Sequence, residues 1–166
     1  MNITDMIKVY NLLSCVLEVF MNVEFKIAKF DDIEEIINLC NECFNENTDL
    51  SYAKRIYKEN ENDKNQIYLV GVLNNEIVAH AKINIIPTIY EDMNTYAILN
   101  HVCVKPSLRR EHIGTKLLEE CFKIAKDCNC KCVELWSKNF RQAAHGLYHS
   151  YGFEVMDAKF FTRNVD

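Results

Sequence analysis

The residues best suited to chemistry lie between Ile98 and Leu118. An apolar run, ILNHVCV, delivers the chain into KPSLRREHIGTK, and a helical pattern begins at once. Strand, short loop and helix N-terminus together form a geometry that holds phosphate. The first amides of a helix have no carbonyl partner, and the helix dipole adds about half a positive charge there. Lys105, Arg109, Arg110 and Lys116 stand against Glu111, so the segment is basic within a chain of net charge −5 and pI about 5.6. Charge alone favours a solvated helix start. Two familiar phosphate loops are excluded. A dinucleotide fingerprint needs three glycines and a later acid, and a P-loop needs Gly-Lys-Ser/Thr, whereas Gly114-Thr115-Lys116 runs in another order. A second reactive stretch is AHGLYHSYGF, with Tyr148 between His145 and His149. On a helix those histidines read first as packing or surface residues.

Eight cysteines form the remaining reactive set: Cys15, Cys40, Cys43, Cys103, Cys121, Cys128, Cys130 and Cys132. Cys40-x-x-Cys43 and Cys128-x-Cys130-x-Cys132 invite a zinc reading, but neither is completed by a second pair or by histidines at ligand spacing. Most lie in apolar patterns, where a free cysteine packs as a small hydrophobe. With no secretory leader visible, the expectation is a reducing, cytoplasmic setting, free thiols and no metal.

These residues need a frame. Hydrophobic residues make up 49% of the 166 and charged residues 26%, the mix of a globular chain long enough for one domain. The acidic balance argues against nucleic acid as a partner. No apolar run reaches the ~18 residues that span a bilayer, so no membrane partner is expected. Val23 to Ala28 alternates as a strand, and Asp31 with Glu34 looks like a capping box opening a helix with stripe Ile33, Ile36, Ile37, Cys40 and Phe44. A helical patch follows near Leu50 to Tyr57. Gln66 to Leu73 and Glu76 to Ile86 read as a hairpin turning at Asn74-Asn75. Thr95 to Val104 is the next strand. The helix after the basic loop carries Ile113, Leu117, Leu118, Cys121, Phe122 and Ala125 on one face. Cys132 to Ser137 reads as a strand, Gln142 to Ser150 as a helix stopped at Gly152, and Phe153 to Val155 and Lys159 to Arg163 as closing strands. The order implies an α/β fold with a mixed sheet and helices on both faces. Residues 1–20 carry Ile3, Met6, Ile7, Tyr10, Leu13, Val16, Leu17 and Phe20 at helical spacing, an added amphipathic helix before a domain at 21–166. That helix would pack on the domain or pair with another copy as a homodimer; its polar face lacks the basic residues of a membrane-surface helix.

Arg109-Arg110-Glu111-His112-Ile113-Gly114 resembles the Arg/Gln-x-x-Gly-x-Gly/Ala pyrophosphate loop of the GNAT superfamily of acyl-CoA N-acyltransferases, and VCVKPSLRREHIGTKLL is similar to that family's central motif along its length. AHGLYHSYGF resembles the family's second motif, a tyrosine-bearing helix followed by Gly-Phe. The likeness covers roughly residues 23–163. It implies a mostly antiparallel GNAT-like sheet and acetyl-CoA as co-substrate. By that resemblance the amides of His112, Ile113, Gly114 and Thr115 cradle the pyrophosphate, with Arg109 and Arg110 beside them. Val102, Cys103 and Val104 align the pantetheine arm as an added strand, and an N–H there meets the thioester oxygen. Tyr148 faces the CoA sulfur. Two positions depart from the pattern: His112 stands where the first glycine sits, and Arg141 where many members have an asparagine on the pantetheine arm. Arg141, Ala144, His145 and Tyr148 resemble a pattern of aminoalkylphosphonate N-acetyltransferases; aminoglycoside N-acetyltransferases are a looser match.

The implied reaction is direct attack of a small-molecule amine on acetyl-CoA, the alternative being a non-catalytic acyl-CoA-binding module. An alkyl amine titrates near ~10.4, so about one molecule in 2,500 is neutral at pH 7, roughly 4.6 kcal/mol of barrier. A base is therefore needed. Many family members place a glutamate where Asn100 and His101 stand here. Histidine titrates near ~6.5 and could serve, and a water held by Asn100 is the competing choice. Strict alternation puts Asn100 with Val102 and Val104, and His101 on the opposite face unless the strand bulges. A thiol near ~8.5 is more acidic than a tyrosine near ~10, so Tyr148 would donate late or as a hydrogen bond. The acids Asp31, Asp32, Glu34, Glu35, Glu42, Glu46 and Asp49 suggest a cationic amine, or only a solvated helix face.

Overall fold

The computed structural model describes residues 22–90 and 94–165. The helix expected over residues 1–20 lies outside them. The chain divides into two compact units, one ending at Trp136 and one running from Ser137.

The first unit is a five-stranded sheet in chain order, β1 (Glu24–Ile27), β2 (Gln66–Leu73), β3 (Glu76–Ile86), β4 (Tyr96–Val104) and β5 (Val133–Leu135). Three antiparallel pairs are followed by one parallel pair, β4 with β5. Asn74 and Asn75 make the two-residue turn between β2 and β3 with φ of 52° and 65°. Both central positions are left-handed, as a type I′ hairpin requires, and asparagine tolerates that region. At Gly71 the neighbouring strand leaves no room for a side chain: a Cβ would stand 2.9 Å from both Phe25 and Val23.

Helix α1 (Ile33–Phe44) packs through Ile33, Ile36, Leu39 and Cys40 on one sheet face, with Val70, Ile77 and Cys103. Helix α2 (Leu50–Asn60) lies against α1, capped by the Asp49 carboxylate on Tyr52 N at 2.7 Å. Helix α3 (Ile113–Asp127) packs on β3 and β4. Its Leu117, Leu118 and Cys121 are wholly buried, as are Ala81 and Ile83 of β3. Each such leucine contributes about 1.5–3 kcal/mol of burial. Three elements thus converge on the chain at 104–113. β4 delivers it, α3 carries it away, and α1 covers β4.

Several expectations are corrected. The helix start is not an Asp31–Glu34 box: a 3-10 turn at Phe30–Asp32 precedes α1, and Asp32 reaches back to Lys29 N at 2.8 Å. Leu39 joins the buried stripe, whereas Ile37 and Phe44 are half-buried. Phe122 is 37% exposed, at the rim of the α3 stripe. The second unit contains helix α4 (Gln142–Ser150), but Phe153–Val155 and Lys159–Arg163 form no ladder. Alternation supplies a strand with two faces, not with the partner its amides and carbonyls need. Among the described residues no helix is long and apolar enough to cross a membrane.

Candidate active site

β4 ends at Val104. A 3-10 turn at Pro106–Leu108 follows, and Arg109 is extended at φ −71°, ψ 152°. Arg110 and His112 are then both left-handed, with φ of 71° and 58°. For L-residues each such excursion costs about 1 kcal/mol or more, strain of a kind that collects at binding turns. The turn from Arg109 to His112 is exposed, while Ile113 behind it is 2% exposed and anchors the helix start. His112 is the N-cap of α3, and its side chain caps nothing. Lys116 N is the first to bond within the helix, to His112 O at 3.1 Å. The amides of His112, Ile113, Gly114 and Thr115 therefore precede the first intrahelical bond and point out of the helix end. Together with the dipole they make an anion-binding turn that needs no glycine at position 112.

The cations around it divide into two groups. Lys105 is held by Glu76, and its ammonium is stabilised by that bond. Arg109 Nε donates to Val104 O at 3.3 Å, and the same guanidinium hydrogen-bonds Cys43. Arg110 and Lys116 stand exposed at the turn.

β4 pairs with β3 along most of its length, but β5 accompanies it only at Ala97, Ile98 and Leu99. From Asn100 to Val104 its second edge has no strand beside it. This is the stretch expected to align an extended ligand. A bulge interrupts it. Cys103 opposes His80 and Asn100 opposes Lys82, so His101 and Val102 together face one β3 residue, Ala81. His101 takes up the extra length at φ 51°. The simple alternation is thereby overturned: Asn100 shares a face with Cys103, and Val104 lies on the other. His101 is exposed, its ring edge-on to Phe44 of α1 at 5.7 Å. Cys103 is buried at 6% exposure among α1 residues. Its thiol is pushed up by the Cys40 and Cys43 thiols and by burial.

In the second unit, the Tyr-x-x-x-Gly-Phe spacing has a structural reason. Gly152 turns left-handed at φ 90°, Phe153 N donates back to Tyr148 O at 3.0 Å, and the Phe153 ring meets the Tyr148 ring edge-on at 5.7 Å. The helix stop therefore orients the tyrosine. His145 Nε2 meets Ser137 Oγ at 3.1 Å, and His149 Nδ1 meets Phe153 O at 3.3 Å, so both are engaged locally. Arg141 is the N-cap of α4, its guanidinium 5.8 Å above the Phe140 ring.

Much of the acidic set is occupied with folding. Asp32 binds Lys26, Glu34 binds Lys54, Glu35 accepts from Ile77 N, and Asp49 caps α2. Glu42 lies near Lys105 and Cys43. Among the described residues, no three histidine, cysteine or acidic side chains are arranged to hold a metal ion. The residue that sequence reasoning passed over is Cys43, whose partners Cys103 and Arg109 lie more than fifty residues downstream; Cys40-x-x-Cys43 was its only signal.

A mixed, mostly antiparallel sheet ending in an exposed helix-terminus turn defines an acyltransferase architecture. The profile of the acetyltransferase (GNAT) family matches residues 31–153, and the chain belongs to that family. Solved structures agree in fold. A transcriptional regulator from Bacillus halodurans is 21% identical over 86% of this chain and 100% of its own, with a TM-score of 0.79. A predicted acetyltransferase from Clostridium acetobutylicum, solved with acetyl-CoA, is 19% identical over 86% and 96%, with a TM-score of 0.72. An aminoglycoside 6'-N-acetyltransferase from Acinetobacter haemolyticus is 17% identical over 86% and 99%, with a TM-score of 0.70. No curated protein sequence gives a significant match.

Proposed function

We propose that the protein transfers an acetyl group from acetyl-CoA to a primary amine of a small molecule, by direct attack while both are bound. The observation that carries this reading is the exposed turn from Arg109 to Thr115, with two left-handed residues and four outward amides at the end of a strand whose second edge is open. A diphosphate suits the amides and an extended arm suits the edge. Family membership supplies acyl transfer, and the acetyl-CoA complex among the solved relatives supports the donor. The aminoglycoside enzyme among them supports a small-molecule amine as acceptor.

Within this reading Arg110, Lys116 and the amides of His112 to Thr115 hold the diphosphate. Arg109 supports the turn from the Val104 carbonyl. An N–H of Val102 to Val104 takes the thioester oxygen as charge develops. His101, thrust out of the sheet by its bulge, removes the amine proton, directly or through a water shared with Asn100. Tyr148 hydrogen-bonds the leaving thiolate, and Arg141 takes the place of the family asparagine. Thiol release from acetyl-CoA across a panel of small amines tests the proposal. Turnover with at least one amine is expected. Acetyl-CoA binding with no turnover would instead identify a non-catalytic binding module.

A further inference from the structure

Three thiols converge where α1 meets the end of β4. Cys40 and Cys43, one helical turn apart, both contact the Cys103 thiol. Cys40 and Cys103 are buried, whereas Cys43 is only partly covered. The Cys43 Sγ lies 3.5 Å from Val104 O, and Arg109 hydrogen-bonds it. We propose that Cys43 is a peroxide-reactive thiol and that Cys103 resolves its oxidised form, closing a reversible disulfide between α1 and β4. The site does not depend on what the open strand edge binds.

Peroxides oxidise thiolates that solvent can reach, with a cation nearby, and a neighbouring thiol then captures the product. Cys43 fills the first role. The hydrogen bond from Cys103, opposed by burial and helped by Arg109, lowers it to about 7. Cys103 fills the second, since adjacent thiols and burial keep it protonated and shielded from oxidant. In the first step the Cys43 thiolate attacks one oxygen of hydrogen peroxide. The O–O bond breaks, a proton is taken up, one water leaves and a sulfenic acid remains. In the second step the Cys103 sulfur attacks the Cys43 sulfur, the S–O bond breaks, and the Cys103 proton leaves with the hydroxide as a second water. The two sulfurs lose two electrons and the peroxide gains them.

The protein carries its own comparator in Cys132, which is exposed but whose thiol is pushed up by its local burial and by Glu134. The full-length protein is treated with hydrogen peroxide, alkylated and mapped by peptide mass. The expected product is a Cys43–Cys103 disulfide that dithiothreitol reverses. Cys43→Ser removes that product, and Cys103→Ser leaves a sulfenic acid on Cys43 that dimedone traps. Before oxidation, iodoacetamide at pH 7 should label Cys43 about tenfold faster than Cys132. Oxidation of Cys43 no faster than Cys132, or a peroxide product that leaves Cys103 reduced, overturns the proposal. The wild-type peptide map decides the matter if the Cys103 variant does not fold.

Discussion

Acidification from neutral pH should destabilise the protein through one residue in the middle of its sheet. His80 lies on β3 and is 2% exposed. Its Nδ1 meets Leu69 O at 2.9 Å, and its ring stacks on Tyr68 at an interplanar angle of 9°. A carbonyl only accepts, so Nδ1 carries the proton and Nε2 is bare. Charging the ring would place a cation in the core. Burial pushes the group down to about 4, the Leu69 carbonyl opposing and the charges of His101 and Lys82 adding. In the unfolded chain a histidine takes its proton near ~6.5. The unfolded state therefore binds more protons between those two values. This contribution is fully present above the unfolded value and is lost as pH falls toward about 4. Two to three pKa units amount to about 3 kcal/mol, a large share of the ~5–15 kcal/mol that holds a domain together. Denaturant unfolding followed by circular dichroism, at pH steps from 7 to 4, measures it. His80→Gln keeps a donor and cannot take a proton. The native chain should lose about 3 kcal/mol relative to that variant over the interval. Asp49, held low by Ser51 and Tyr52 N, and Asp63, held low by Gln66 and Asn65 N, act on both proteins at lower pH. Parallel curves for the two proteins would refute the reasoning.

Three further outcomes bear on the proposed reaction. Tyr148→Phe should lower turnover by about tenfold or more while acetyl-CoA affinity, measured by calorimetry, barely moves; loss of affinity instead would make the residue part of the binding surface. His101→Ala should reduce kcat/KM for the amine by about a hundredfold with donor binding intact, and a loss of only a few-fold would hand the proton to water beside Asn100. His112→Gly relieves a left-handed side chain at φ 58°, which should tighten acetyl-CoA binding up to about fivefold; weakened binding would mean that the imidazole itself contacts the ligand.

Where the sequence was legible, local rules were sufficient. The bounds of β2, β3 and α4 coincide with the expected ones, because Asn74-Asn75 and Gly152 each require φ > 0 and so mark where an element must stop. The basic turn was legible for the same reason, since the strand and the helix flanking it have strong periods. What escaped depended on contacts across the chain. The bulge at His101 is a matter of register with Lys82 and His80, which no window around residue 101 contains. The closing strands failed because alternation cannot reveal whether a partner is present. Asp32 displaced the expected cap because Lys26 and Lys29 N, on the preceding strand and turn, claimed its carboxylate. Cys43 gained its setting from residues of β4 and the turn beyond it.

A regular pleat obliges consecutive side chains to look in opposite directions, so a strand can ordinarily offer one side only every other residue. The crease in β4 suspends that obligation: two adjacent polar groups, an amide and an imidazole, can serve the flank that α1 covers. Deleting a single residue there would restore the ladder and improve its hydrogen bonding. It would also turn every following position inside out, sending Cys103 toward α3 and Val104 toward α1, so local order and chemical usefulness are opposed at that one spot.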